Sequence, residues 1–142
     1  MPKSTSYTAI NLSASLDGVA VQGLWDGDNA IQVDQNVDAG EGLVGVQGDS
    51  IFSQTADRSA MVTIRLMHTS PTHRQLMQKW HAQQAGILRP FTFDHMDTAS
   101  KEGGSGDEFY VKRAPSDTKG TNATVREWVI WTGDYKSNIP DA

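Results

Sequence analysis

The chain has no cysteine among its 142 residues, so no disulfide or thiolate ligand set exists, and a reducing, intracellular setting is expected. No stretch approaches the roughly 20 consecutive apolar residues that a membrane helix requires. The opening MPKSTSYTAINLSAS lacks the apolar run of a secretion signal. A soluble protein without a membrane partner is the expectation. The third lack is local. From Ser4 to Asp57 there is neither Lys nor Arg, while Asp17, Asp26, Asp28, Asp34, Asp38, Glu41, Asp49 and Asp57 all lie there. The formal net charge of −5 is therefore unevenly spread. An anionic surface of this kind repels nucleic acid, since duplex binding depends on Lys and Arg neutralising phosphates. Ordinary solubility explains the same acids equally well. A calcium loop does not, because the tight alternate spacing of an EF-hand is missing.

Recognised catalytic and metal motifs are also lacking. There is no GxSxG elbow, no HExxH, and no Lys followed by Ser or Thr after the GGSGDE run to make a phosphate loop. HTSPTHRQLMQKWH, residues 68–81, holds three of the four histidines. His73 and His81 would be about 12 Å apart along an ideal helix and turned about 80° from each other. A zinc ion needs ligands about 2 Å from it, so no metal site and no cofactor is expected. The triplets Asn11-Leu12-Ser13 and Asn122-Ala123-Thr124 fit a glycosylation pattern, but no role is expected for them without secretion. Trp128 and Trp131 lie in an apolar run and are read as core; only Lys112, Arg113 and Arg126 offer a basic setting for an aromatic platform.

What is present reads as one mainly β domain spanning 1–142, of a length that buries roughly two thirds of its surface without staples. Tyr7–Ser15 alternates with period two, and Leu16-Asp17-Gly18-Val19 is a hairpin turn in which Asp-Gly accepts positive φ. Val19–Leu24, with Gly23 as a bulge, and Ala30–Asp34 continue as strands, so the N-terminal third reads as consecutive hairpins. Residues 35–59 are glycine-rich yet dotted with Val37, Leu43, Val44, Val46, Ile51 and Phe52. They form either an irregular hairpin or a long projecting loop, and their apolar side chains must pack on something, either the domain's own core or a neighbour.

Met61–Met67 is apolar on both faces, as a central strand covered on both sides would be. Ser70-Pro71 starts a helix over about 71–84: serine caps a free N–H and proline occupies the first turn without cost. Leu76, Met77 and Trp80 make its docking face, and Gly86 ends it. Arg89–His95, Glu108–Ala114 and Val125–Thr132 are further strands. Asp97–Asp107 and Pro115–Ala123 are polar loops, and residues 133–142 a polar arm.

Taken in order, LDGVAVQGLWDGDNAIQV, the long glycine-rich loop, MVTIRLMHTSPTHRQLMQKW, PFTFDH and REWVIW resemble the tail tube proteins of contractile-tailed bacteriophages. The resemblance spans about Tyr7 to Trp131. One departure is His73, where many relatives carry a small polar residue. The resemblance implies an antiparallel β-sandwich or barrel with one flanking helix and a long projecting loop. It implies a non-enzymatic subunit that assembles with itself into rings of six, stacked into a hollow virion tube, assembled in the host cytoplasm. Sheath, baseplate or initiator, and terminator proteins are the implied partners. DNA passes through the lumen without specific binding.

On that footing Val37, Leu43, Val44, Val46, Ile51 and Phe52 are subunit or ring contacts. Asp17, Asp26, Asp28 and Asp34 are lumen-facing acids. A tube initiator, a baseplate component, or the tube of a phage-derived bacteriocin or secretion system would share the pattern. A carbohydrate-binding or hydrolytic β-sandwich, with the tryptophans as platform, is the reading from a different class.

Overall fold

The computed structural model describes residues 12–25, 29–97, 101–117, 119–120, 122 and 124–138. Its strands are β1 (Leu12–Leu16), β2 (Val19–Ala20), β3 (Ile31–Gln35), β4 (Gly40–Val44), β5 (Ser50–Gln54) and β6 (Ala60–Leu66), then β7 (Phe91–Asp97), β8 (Gly103–Arg113), β9 (Arg126–Thr132) and β10 (Lys136–Asn138). One helix, α1 (Pro71–Gln84), lies between β6 and β7. Eight strands join in the order β2-β1-β7-β8-β9-β6-β3, with β10 alongside β8, while β4 and β5 pair only with each other. All pairings between these strands are antiparallel.

The sheet curls until its ends meet. The segment after β2 bonds backward to β1, Val21 N donating to Ala14 O at 2.9 Å. It bonds forward to β6, with Trp25 N to Arg65 O at 2.9 Å, Met67 N to Gly23 O at 2.7 Å, and a bridge between Leu24 and Leu66. This seam closes a barrel around Leu16, Val62, Ile64, Phe93, Phe109 and Trp128, all essentially without solvent exposure. Phe109 sits edge-on to Phe93 at 5.8 Å between ring centres and stacks on Phe91 at 6.3 Å. In β6 the residues Val62, Ile64 and Leu66 are fully buried, as its central place between β9 and β3 requires.

α1 is fastened at both ends and along its length. Ser70 Oγ accepts from Thr72 N at 3.2 Å, and its hydroxyl donates to the Gln22 carbonyl. Thr72 Oγ1 accepts from Gln22 N at 2.9 Å, so the helix start is tied directly to the seam. There Gly23 has φ +71, and a Cβ on it would stand 2.8 Å from that of Ser70. The glycine therefore admits the cap, and it lies beyond the end of β2 instead of inside a strand. At the far end Gly86, with φ +91, donates to Gln83 O at 3.1 Å and Ile87 N donates to Ala82 O at 3.0 Å, the paired bonds of a Schellman motif. Leu76 is fully buried and Met77 and Trp80 pack beside it. Gln83 replaces a missing strand partner of β8: its Nε2 donates to Val111 O at 2.7 Å and its Oε1 accepts from Val111 N at 3.1 Å.

Three expectations change. β2 and β3 are not a hairpin, because β3 pairs with β6. Residues 97–107 are not all loop: β8 begins at Gly103, and Gly103–Ser105 bond to β7 and β10 on either side. The tail is not simply an arm, since Lys136–Asn138 pair with that same start of β8. Of the two forms open to residues 35–59, the hairpin is the one found, as β4–β5, and it projects. The first part of the Tyr7–Ser15 strand lies outside the described residues.

Candidate functional site

The β4–β5 hairpin departs from the barrel between β3 and β6. Its register sets Leu43 opposite Ile51, Gly42 opposite Phe52 and Val44 opposite Ser50. Facing residues share a side and neighbours alternate, so Leu43 and Ile51 occupy one face, Val44 and Phe52 the other. Neither face is covered. Leu43, Val44, Ile51 and Phe52 are 65–69% exposed, and Val46 at the tip is wholly so. Val37, ahead of β4, is 44% exposed. Gly45 N donates to Asp49 O at 2.7 Å to make the turn, and Thr55 N donates to Ala39 O at 2.8 Å to close the base. At that base, hydrogen bonds from Ser59 hold the Asp57 carboxyl below the usual carboxylate range.

A lone two-stranded ribbon is marginal in water, and apolar side chains on both its faces have no intramolecular reason to be there. Burying one such side chain is worth roughly 1.5–3 kcal/mol. The six residues singled out from the sequence are thus brought together on one protrusion. Their surroundings are acidic: residues 35–57 contain Asp38, Glu41, Asp49 and Asp57 and no base.

The acids proposed for a lumen fare differently. Asp17 has φ 54 in the β1–β2 turn, followed by Gly18 at φ 81, and forms an ion pair with Lys79 at 2.9 Å. Asp34 is exposed on β3, within 3.2 Å of Gln32 Nε2. Asp17 lies in a turn at the end of β1, whereas Asp34 pairs with Met61 near the start of β6. Asp26 and Asp28 lie outside the described residues.

Among the described residues, no group of three or more His, Cys, Asp or Glu is placed to hold a metal. His68 and His73 both reach residues of β9. His68 Nδ1 meets the Arg126 guanidinium at 3.1 Å, and His73 Nδ1 accepts from Trp128 Nε1 at 3.0 Å. Burial lowers the pKa of His73, assisted by the Arg126 cation and by His68. His95, which lies in no recognisable motif, meets Tyr135 OH through Nε2 at 2.9 Å. Burial lowers its pKa against the pull of Asp94 and Glu102, and burial raises that of Tyr135. These pairs join elements: His73 ties α1 to β9, and His95 ties β7 to the β9–β10 connection. Trp128 is fully buried and Trp80 and Trp131 are half-buried, so these three do not form an open aromatic platform.

Solved structures share this architecture. The sheath/tube terminator of an extracellular contractile injection system, PVC, in its extended state superposes with TM-score 0.68 at 12% identity, covering 96% of this chain and 99% of that one. The tube terminating cap of the anti-feeding prophage, AFP, gives 0.62 at 10% identity, over 97% and 94%. The PVC sheath-tube complex in the extended state gives 0.53 at 13% identity, over 96% and 97%. At these identities the likeness is one of fold. No curated protein matches by sequence. A family profile described as "Bacteriophage PhiTE tail tube protein" matches residues 4–139. Matched over nearly its whole length, the chain belongs to this phage tail tube family, whose members are structural proteins.

Proposed function

We propose that the chain is the repeating subunit of a phage tail tube, closing into rings, six copies to a ring, that stack into a hollow conduit for genome ejection. The observation that carries this is the β4–β5 hairpin, which exposes apolar side chains on both faces and, among the described residues, pairs with no strand of its own barrel. Such a protrusion is explained by burial in another copy. Among the described residues the curled sheet also leaves β3 with one free edge beyond β6, where a neighbour's strand can add within the ring. The lumen would be lined by acids along which DNA slides without being held. Asp34 suits that role better than Asp17, whose charge is already met by Lys79. Sheath, initiator and terminator proteins are the expected partners, and the virion tail the expected location.

Negative-stain microscopy of the purified protein tests the reading, with regular hollow tubes as the expected result. Leu43→Asp and Phe52→Asp should each give a folded monomer, by circular dichroism and sedimentation, that forms no tubes. Normal tubes from both variants would refute the hairpin's role. The second reading is a tube terminator or cap. It is favoured by the TM-scores of 0.68 and 0.62 with a terminator and a cap, against 0.53 with the sheath-tube complex. Single closed rings that bind preformed tube ends, with no tubes of their own, would select it.

A further inference from the structure

The hairpin and the helix leave the barrel at opposite ends. β6 begins at Ala60, just after the hairpin, and ends at Leu66, just before the helix. Antiparallel pairing carries this polarity around the sheet: Leu66 faces Arg126, Arg113 faces Val129, Phe91 faces Phe109 and Leu16 faces Phe93. The end of β1, the starts of β7 and β9 and the end of β8 therefore gather at the helix pole. The hairpin rises from the other pole with the ends of β3 and β9.

The helix pole carries its own uncovered apolar residues. After the Schellman turn, Ile87 and Leu88 are 51% and 65% exposed. Ile87, with Asp17, Lys79, Arg89, Pro90 and Phe91, borders a groove of about 360 Å³ between α1 and the start of β7, and Leu88 follows Ile87 in the chain. Its lining holds Lys79 and Arg89 against one acid, Asp17, whereas the hairpin has acids and no base. From Met67 to Phe93 there is no acid, while Arg74, Lys79 and Arg89 are present; from Gln35 to Asp57 there is no base, and four acids. The Lys79 ammonium is shared with Asp17 and lies 5.1 Å over the Phe91 ring, which leaves the exposed Arg89 as the cation best placed to meet a carboxylate.

We infer that the β4–β5 hairpin of one copy docks on the helix-pole groove of the next, its apolar residues against Ile87 and Leu88 and its acids toward Arg89. The occupant is a second copy of this chain. The two surfaces differ and lie at opposite poles of the barrel, so the contact is head-to-tail. The attraction orients the approach and weakens as salt shortens its range. This inference rests on the tube reading and specifies which surface receives the hairpin.

The lack of native cysteine allows a direct test, since every thiol is then an introduced one. Val46→Cys marks the hairpin tip and Leu88→Cys the helix pole, both at exposed positions. Treated with a short bis-maleimide during assembly, an equal mixture should give mainly the mixed dimer, and the double variant a ladder of dimers, trimers and longer chains. Adding Arg89→Glu should lower the yield roughly tenfold, as like charges brought together are strongly disfavoured. Circular dichroism of each variant verifies the barrel. Tubes or rings whose residue-46 thiols join only one another, or join nothing, overturn this inference and leave the tube reading standing. A cysteine-free parent that stays monomeric at every concentration overturns both.

Discussion

Trp128 has one hydrogen to donate, and it donates to His73 Nδ1. The imidazole must therefore hold its own proton on Nε2 and stay neutral, because a second proton at Nδ1 would break that bond. His95 is likewise set in surroundings that oppose its charged form. Both folded-state pKa values lie below the ordinary 6.5, so the unfolded chain takes up protons first as the pH falls. The stability these residues contribute is complete above pH 6.5, declines as the pH falls through it, and is lost by the time the lower folded-state values are passed. Urea midpoints should hold steady from about pH 8 to 7 and drop by pH 5, above the range where free carboxylates titrate. A variant with His73→Asn and His95→Gln should show a shallower drop. An equal slope would assign the acid sensitivity to other groups.

At the scale of elements, β8 shows what alternation cannot reveal. Its start, Gly103-Gly104-Ser105-Gly106, offers no apolar pattern, and polar glycine-rich sequence reads as loop. In the fold these glycines are strand because nothing larger fits: a Cβ on Gly104 would lie 1.9 Å from the Tyr135 hydroxyl. Gly104→Ala should push Tyr135 off β8 and away from His95, at a cost of about 1–3 kcal/mol by urea denaturation. Gly42→Ala, with nothing within 4 Å of the added carbon, should change stability by no more than about 0.5 kcal/mol.

Other elements were legible because their signals are local. Asp17-Gly18 takes the two positive φ values foreseen and Ser70-Pro71 caps α1. By contrast, β6 is fully buried along Val62, Ile64 and Leu66 but not fully covered on both faces, Met67 just past its end being 50% exposed. The pairing of β3 with β6 was not legible, since it spans the whole hairpin and leaves no mark in either strand. Val37, Leu43, Val44, Val46, Ile51 and Phe52 were identifiable as apolar residues out of place. Whether they filled the barrel or stood clear of it depended on a register that only three dimensions supply.

For the whole molecule, the barrel and the hairpin are separable. The core cluster contains no residue of β4 or β5, and the hairpin's base is already joined by the bond from Thr55 N to Ala39 O. Replacing residues 40–54 with a short Gly-Ser turn should leave the melting temperature within a few degrees of the parent, because hairpin loops of two to five residues are readily formed. It should also abolish assembly in microscopy and sedimentation. A large loss of thermal stability would mean that the hairpin belongs to the fold and not to its neighbours.

Departure of hairpin and helix from opposite poles has a consequence for any stack so built. Each arriving copy covers one pole and presents the other afresh, so the contact contains no instruction to stop. The two ends of the finished object are chemically unlike, one bristling with acidic hairpins and the other showing basic grooves. A protein shaped to seal one end would find no purchase on the other, and the count of layers must be kept by something other than this chain.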